Sequence, residues 1–261
     1  MNEQTIRRQV VWEHAGDTDV GMVRTVNEDA ILSKPEIGLW AVADGMGGHE
    51  VGDVASKMVL QAIEQVDCSR ELKDIVNNVE DALIRVNRQI LQYSQDELDN
   101  KTVGSTVVIL IISGRVGICL WVGDSRLYRY RNGRLQKLSR DHSRVEELIQ
   151  QGKLDPSEAE SHPESNVITR AVGVDEDFCV DITGFDASKG DTFLLCSDGL
   201  YNMLTTNEIA EQLEHTENTD KVGQLISSAL DRGAPDNVSV IVVKGGFEKN
   251  ISREVVDRSR S

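Results

Sequence analysis

Short apolar, β-branched runs recur along this chain with polar stretches between them. They are "LWAVA" (39–43), "TVVILII" (106–112), "GICLWV" (117–122), "TFLLC" (192–196) and "VSVIVV" (238–243). Each is too short for a typical helix and is flanked by turn-forming residues, so each predicts a buried strand. In "RLYRYRNGRLQKL" (126–138), Asn132-Gly133 interrupts an alternating pattern. That dipeptide is the strongest local signal for a type I′ hairpin and makes at least part of the sheet antiparallel.

Helical periodicity replaces alternation in three places. Val54, Met58, Ala62 and Val66 form a stripe over 54–66; Leu72, Ile75, Val76, Val79, Leu83, Val86 and Ile90 form another over 70–91. Near the C-terminus, Thr205 with Glu208 reads as a capping box, and Leu225, Ile226 and Ala229 stripe a helix ended by Gly233. Two helices after the first strands, then strands, then helices again is not a βαβ alternation. It predicts an α+β fold of mainly antiparallel sheets packed together, with helices outside.

The segment 141–170 breaks the pattern. It is polar, partly helical and holds two of the four prolines, and it reads either as a flap inserted over a site or as a surface loop with a short helix. No repeat, low-complexity tract or linker divides the chain, which predicts one domain over 1–246 and a polar, frayed tail over 247–261.

Composition changes this picture little. At 261 residues and 39% hydrophobic, the chain can bury a sizeable core. No stretch approaches a transmembrane helix, and the N-terminus lacks the apolar core of a signal peptide. Cys68, Cys119, Cys179 and Cys196 are widely spaced and read as reduced core residues of a cytoplasmic protein. Charge matters more: 44 acidic against 28 basic residues leave a net −16, which argues against nucleic acid and anionic membranes as partners.

Four aspartates lie where a solvated surface does not account for them. Asp44 ends "LWAVAD", Asp124 ends "LWVGD", Asp198 ends "FLLCSD", and Asp236 lies just before the last apolar run. Carboxylates at the lips of core strands are costly to desolvate unless paired or bound to a cation, and Arg126 is the one basic residue at an equivalent lip. Converging acids repel one another unless a divalent ion neutralises them, and oxygen-only ligands favour Mg²⁺ or Mn²⁺. The glycines of "DGMGG" (44–48) would then free the backbone to offer a carbonyl, such as that of Gly45. Upstream, "GMVRTVNEDA" (21–30) adds Arg24 and Glu28. An arginine beside a metal cluster is a natural clamp for phosphate.

Taken together these residues resemble the metal-dependent serine/threonine protein phosphatases of type 2C, in their bacterial single-domain form. The motifs stand in order over roughly 14–246: "VRTVNEDA", "AVADGMGGHEVGDVAS", "GST" (104–106), "WVGDSRLYR", "SRDHS", "ITRAVG", "LLCSDGL" and "APDNVSVIVV". The resemblance implies a four-layer αββα sandwich, two mainly antiparallel sheets flanked by helices, with a flap at about 144–168. It implies hydrolysis of phosphoserine and phosphothreonine by a hydroxide activated at a binuclear Mn²⁺ or Mg²⁺ centre, in opposition to a bacterial serine/threonine kinase. Asp44 matches the bridging ligand and Gly45 the carbonyl ligand; Asp198 and Asp236 match the other carboxylates. Glu28 matches an acid that holds metal-bound water, and Arg24 the phosphate-binding arginine. Asp124 matches the acid that, with Asp198, holds a third, weaker ion. Implied partners are phosphorylated proteins, acted on by a monomer. Animal members carry a histidine, the proposed general acid, two residues after the bridging aspartate; Met46 stands there in this chain, and His49, three residues on, reads as a capping or surface residue. Three rival readings are a catalytically dead phosphoprotein-binding module, a partner-switching phosphatase and another two-metal phosphoesterase. The presence of every matching acid opposes the first, the lack of sensor or membrane segments in this sequence the second, and the net charge the third.

Overall fold

The structure, a computed structural model, describes residues 10–47, 51–67, 71–159, 162–215 and 221–247. In chain order the strands are β1 (Val10–Asp19), β2 (Asp29–Lys34), β3 (Leu39–Met46), β4 (Gly104–Ser105), β5 (Val107–Ser113), β6 (Val116–Val122), β7 (Arg126–Arg131), β8 (Arg134–Lys137), β9 (Asp181–Asp186), β10 (Thr192–Cys196) and β11 (Val238–Phe247). The helices are α1 (Gly52–Glu64), α2 (Leu72–Glu97), α3 (Arg144–Gln150), α4 (Asp198–Tyr201), α5 (Thr206–His215) and α6 (Lys221–Leu230).

Alternation along β3 shows how the layers arise. Leu39, Ala41 and Ala43 face a core shared with α1 and α2, whereas Trp40 and Val42 face a second core shared with Phe193, Leu195 and Ile241. A strand covered on both faces has no polar face to show, so it reads as an unbroken apolar run. β1-β11-β10-β7-β8 form one sheet and β2-β3-β5-β6-β9 the other, with β4 beside β3. Every pairing between these strands is antiparallel. A third core, with Leu194, Leu200, Leu213, Leu225 and Val240, lies between the first sheet and α4–α6. The order of layers is therefore helix, sheet, sheet, helix, as the sequence pattern and the resemblance together predict.

Local chemistry accounts for several boundaries. Asn132 and Gly133 both adopt positive φ (51° and 76°), the requirement of a type I′ turn, and join β7 to β8. At α5, Thr205 N–H donates to Glu208 Oε2 (2.9 Å) and Glu208 N–H donates to Thr205 Oγ1 (3.4 Å), the reciprocal bonds of a capping box. α2 buries the expected stripe and runs six residues beyond the predicted end, to Glu97. In α1 the stripe is displaced by one position. Ala55, Val59 and Ile63 are buried; Val54, Met58 and Ala62 are half-buried at the flank. Two parallel stripes of similar hydropathy cannot be ranked until the sheet beneath α1 takes one of them.

β1 and β9 escape detection as apolar runs because each is the edge strand of its sheet and half solvated. Cys119 and Cys196 are free and buried as expected; Cys179 is free but exposed, so it is not a core residue; Cys68 lies outside the described residues. Between Ser143 and Ile168, which pair as an isolated bridge, the chain makes α3 and a 3₁₀ turn at Pro156–Glu158. Among the described residues, no helix is long and apolar enough to cross a membrane.

Candidate metal centre

Strand ends from both sheets meet at one end of the sandwich. Asp44 lies in the last turn of pleat of β3, Asp124 in the crossover from β6 to β7, Asp198 at the first position of α4 directly after β10, and Asp236 two residues before β11. Asp29 joins them: it opens β2, stands directly opposite Asp44 in the β2–β3 register and is only 5% exposed. Sequence reasoning passes over Asp29, although it borders the apolar "AIL" as Asp44 borders "LWAVA".

The loop carrying Arg24 and Glu28 is pinned by Asn237, another residue without an assigned role in the sequence reading. Asn237 Nδ2 donates to the carbonyls of Val20 (2.9 Å) and Val26 (3.1 Å), and Asn237 Oδ1 accepts from Glu28 N–H (2.8 Å). Glu28 Oε1 accepts from Gly52 N–H (3.1 Å) at the start of α1, where the helix leaves its first donors unpaired. The glycines follow from this close approach. A Cβ on Gly45 would lie 2.1 Å from the Gly52 carbonyl oxygen, and one on Gly52 would lie 2.5 Å from Glu28 Oε1. Gly45 and Gly52 thus let α1 start against the end of β3. Met46 stands opposite Gly104 in the β3–β4 pair; Gly48 and His49 lie outside the described residues.

The electrostatics are those of uncompensated acids. Burial pushes Asp44 well above the usual carboxylate range, and the charges of Asp29, Asp198, Asp124 and Asp236 push it further. Burial raises Asp198 to about 8, with Asp124, Asp236 and Asp29 adding to it. Asp29 is raised by burial to about 6, against hydrogen bonds that favour its charged form, one of them from Ser197 Oγ (2.7 Å). Burial also raises Asp124, with the charge of Asp141 next in size. Asp124 Oδ1 is buried with no hydrogen-bond partner. The exposed cation beside these acids is Arg24, whose Nη2 lies 2.9 Å from Asp236 Oδ2, while the charge of the half-buried Arg126 acts on Asp124 and Asp198. The Asp236 bond raises the Arg24 guanidinium pKa against the lowering effect of burial, and the charges of Asp236, Glu28 and Asp44 add to the rise.

All seven residues singled out in the sequence therefore fall in one region, yet no three His, Cys, Asp or Glu side chains among the described residues form an arrangement that holds a metal ion as they stand. Four of the acids have a local donor: Asp236 in Arg24, Glu28 in Gly52, Asp198 in Asn202 and Asp124 in Tyr201. The donor set still fits a hard divalent ion, being all oxygen, mutually repelling and partly orphaned.

Known proteins share this arrangement of sheets and strand ends. The protein phosphatase 2C family model matches residues 22–231. The chain is 35% identical over 237 residues to the serine/threonine protein phosphatase PstP of Mycobacterium tuberculosis, spanning 90% of this chain but only 45% of that protein. It is 34% identical over 250 residues to the serine/threonine phosphatase stp of Listeria welshimeri, spanning 93% and 98% respectively. Among solved structures, PppA of Pseudomonas aeruginosa superposes with a TM-score of 0.82 at 41% identity over 91% of this chain and all of that one. The catalytic domain of PstP in complex with two manganese ions superposes at 0.81 with 33% identity, over 90% and 99%. With a family match over most of its length and the same fold at this level of identity, the chain belongs to the protein phosphatase 2C family.

Proposed function

We propose that the chain is a protein serine/threonine phosphatase that hydrolyses phosphoserine and phosphothreonine at a binuclear Mn²⁺ or Mg²⁺ centre. The observation that carries this reading is the group of acids at the strand ends, whose charges push Asp44 and Asp198 up beside the exposed Arg24. The relatives support it: several are named serine/threonine phosphatases, and one solved relative holds two manganese ions. Asp44, with the carbonyl of Gly45, and Asp198 and Asp236 would hold the two ions. Glu28 would orient a water there, and Asp124 with Asp198 would hold a third, weaker ion. When bound, the divalent pair supplies the positive charge that neutralises these carboxylates and acidifies a water for attack on phosphorus.

The chain's own residues do the rest. Arg24 spends one N–H on Asp236 and keeps other guanidinium donors for the equatorial phosphate oxygens, whose charge it offsets as the ester bond breaks. Asn237 and the α1 start hold the Arg24–Glu28 loop at a fixed distance from the acids. The excursion over 144–168 acts as the flap beside the site. The domain spans 1–246, followed by a polar tail over 247–261. The natural partners are phosphoproteins and a cognate serine/threonine kinase, met as a monomer in the cytoplasm.

The test is phosphate release from a phosphothreonine peptide by the purified protein in the presence of Mn²⁺; no release above the uncatalysed rate would overturn the reading. Arg24→Ala is expected to raise KM by about 10- to 100-fold with a smaller change in kcat, the loss of a charge-assisted bond made in both ground and transition states. A fall confined to kcat would instead make Arg24 a group that acts only in the transition state.

A further inference from the structure

At the end of α4, two neighbouring side chains each hold one oxygen of a different acid. The Tyr201 hydroxyl donates to Asp124 Oδ2 (3.1 Å), and Asn202 Nδ2 donates to Asp198 Oδ2 (3.1 Å). The same hydroxyl lies 3.1 Å from the carbonyl of Asp124, so one donor grips both the side chain and the backbone of that residue. Asp124 Oδ1 is left buried and unpartnered. The charge that acts most strongly on Asp198 is that of Asp124, so the two acids are neighbours although they come from different elements.

The Tyr201 ring is itself fixed. The guanidinium carbon of Arg126 lies 3.4 Å above its centroid. Arg126 is held by Asp141 Oδ2 through Nε (3.0 Å) and Nη2 (2.7 Å), and its Nη1 donates to the Tyr128 hydroxyl (3.0 Å). Asp198 and Tyr201 are three residues apart in α4 and share a face of its single turn, which Asn202 N–H closes onto the Asp198 carbonyl (2.9 Å). The separation of Asp124 from Asp198 is therefore set by one helical turn and one stacked aromatic ring. Tyr201 and Asn202 also line a cavity of about 230 Å³ that reaches Ser165 and Asn166.

We propose that Tyr201 and Asn202 are positioning residues that preset Asp124 and Asp198 as a cation-binding pair, fixing one oxygen of each and leaving the other for a shared ion. The inference rests on the reading that these two acids hold the third, weaker ion. Neither residue touches the phosphate; both act through the carboxylates.

Equilibrium binding of Mn²⁺ to the metal-stripped full chain, followed by calorimetry and by the spin resonance of free Mn²⁺, tests this without reference to turnover. The wild type is expected to show a tighter class and a weaker one, and Asp124→Asn to lose the weaker class alone. Tyr201→Phe keeps the ring and its stack on Arg126 and removes only the hydroxyl. It is expected to weaken the weaker class by about 10-fold, the effect of one hydrogen bond to a charged acceptor, and to leave the tighter class within about two-fold. Asn202→Ala should act in the same direction. If Tyr201→Phe binds both classes like the wild type, the positioning role is wrong. Equal weakening of both classes also overturns it, since that is what a general structural role produces. A weaker class that is missing in the wild type, or that survives in Asp124→Asn, removes Asp124 from the metal site and takes the positioning role with it.

Discussion

Asp44→Asn is expected to lower kcat on a phosphothreonine peptide by about 10³-fold or more and, in the same protein, to raise the melting temperature of the metal-free form. The first effect follows from the place of Asp44 among the acids: the charges of Asp29, Asp198, Asp124 and Asp236 all act on it, so it is the one shared by every part of the cluster. If Asp44 holds both ions as proposed, its neutral form would weaken both, and metal-ion catalysis supplies several kcal/mol of transition-state stabilisation at about 1.4 kcal/mol per decade of rate. The second effect has the opposite sign because the charge removed is a repelled one. Its backbone anchors, Asp44 N–H to Thr106 Oγ1 (3.2 Å) and Ser105 Oγ to the Asp44 carbonyl (3.0 Å), do not involve the carboxylate and survive the substitution. Turnover measured with saturating Mn²⁺, together with a melting curve in EDTA, checks both halves. Near-wild-type turnover would remove Asp44 from the reaction, and a metal-free form that melts lower would show that its charge is compensated rather than repelled.

Chelation is expected to abolish phosphate release entirely and to make stability depend on pH in a direction opposite to ordinary acid denaturation. The sign follows from the acids themselves. Asp198 is raised to about 8 and Asp29 to about 6, and Asp44 is raised too, against an unfolded value near 3.9. Between those limits the folded chain binds more protons than the unfolded one, so stability is greatest toward the acid end and is lost as pH rises through the folded values. In EDTA the melting temperature should fall between pH 5 and pH 8, on the order of 10 °C for a loss of a few kcal/mol in a chain of this size. Glu208, lowered to about 2 by Arg232 and Thr205, works in the other direction but only below its unfolded value, outside this window. Mn²⁺ should restore the loss at pH 8 and do much less at pH 5, where protons already compete for the carboxylates. A metal-free melting temperature that rises from pH 5 to pH 8, or phosphate release that persists after exhaustive chelation, would contradict the account.

Much of the architecture was legible in the sequence because it is decided locally or by simple periodicity. The runs at 39–43, 106–112, 117–122, 192–196 and 238–243 became β3, β5, β6, β10 and β11, since a strand covered on both faces leaves no alternation to misread. Asn132-Gly133 and Thr205 with Glu208 encode a turn and a cap within a few residues. The acids at the strand lips were legible for a related reason: a carboxylate beside a core strand conflicts with its surroundings, and such a conflict marks a functional candidate.

What depends on distant parts of the chain was decided only by the tertiary structure. β1 and β9 carry too few apolar residues to announce themselves, because an edge strand needs burial on one face at most. The buried stripe of α1 lies one position from the expected one, since two neighbouring stripes of the helix are apolar and the sheet selects between them. Gly45 and Gly52 are seven residues apart, and only the docking of α1 on the end of β3 shows that each needs to lack a side chain. Asp29 joins the cluster through its register opposite Asp44. The Tyr201 hydroxyl meets Asp124 from more than seventy residues away, across the boundary between two elements. The sequence alone determined which residue types carry the chemistry and the strands and turns that bear them, because those are properties of short windows. Their pairing into one site is a property of packing, and packing alone brings Asp29, Asp44, Asp124, Asp198 and Asp236 close enough for the charge of one to shift another.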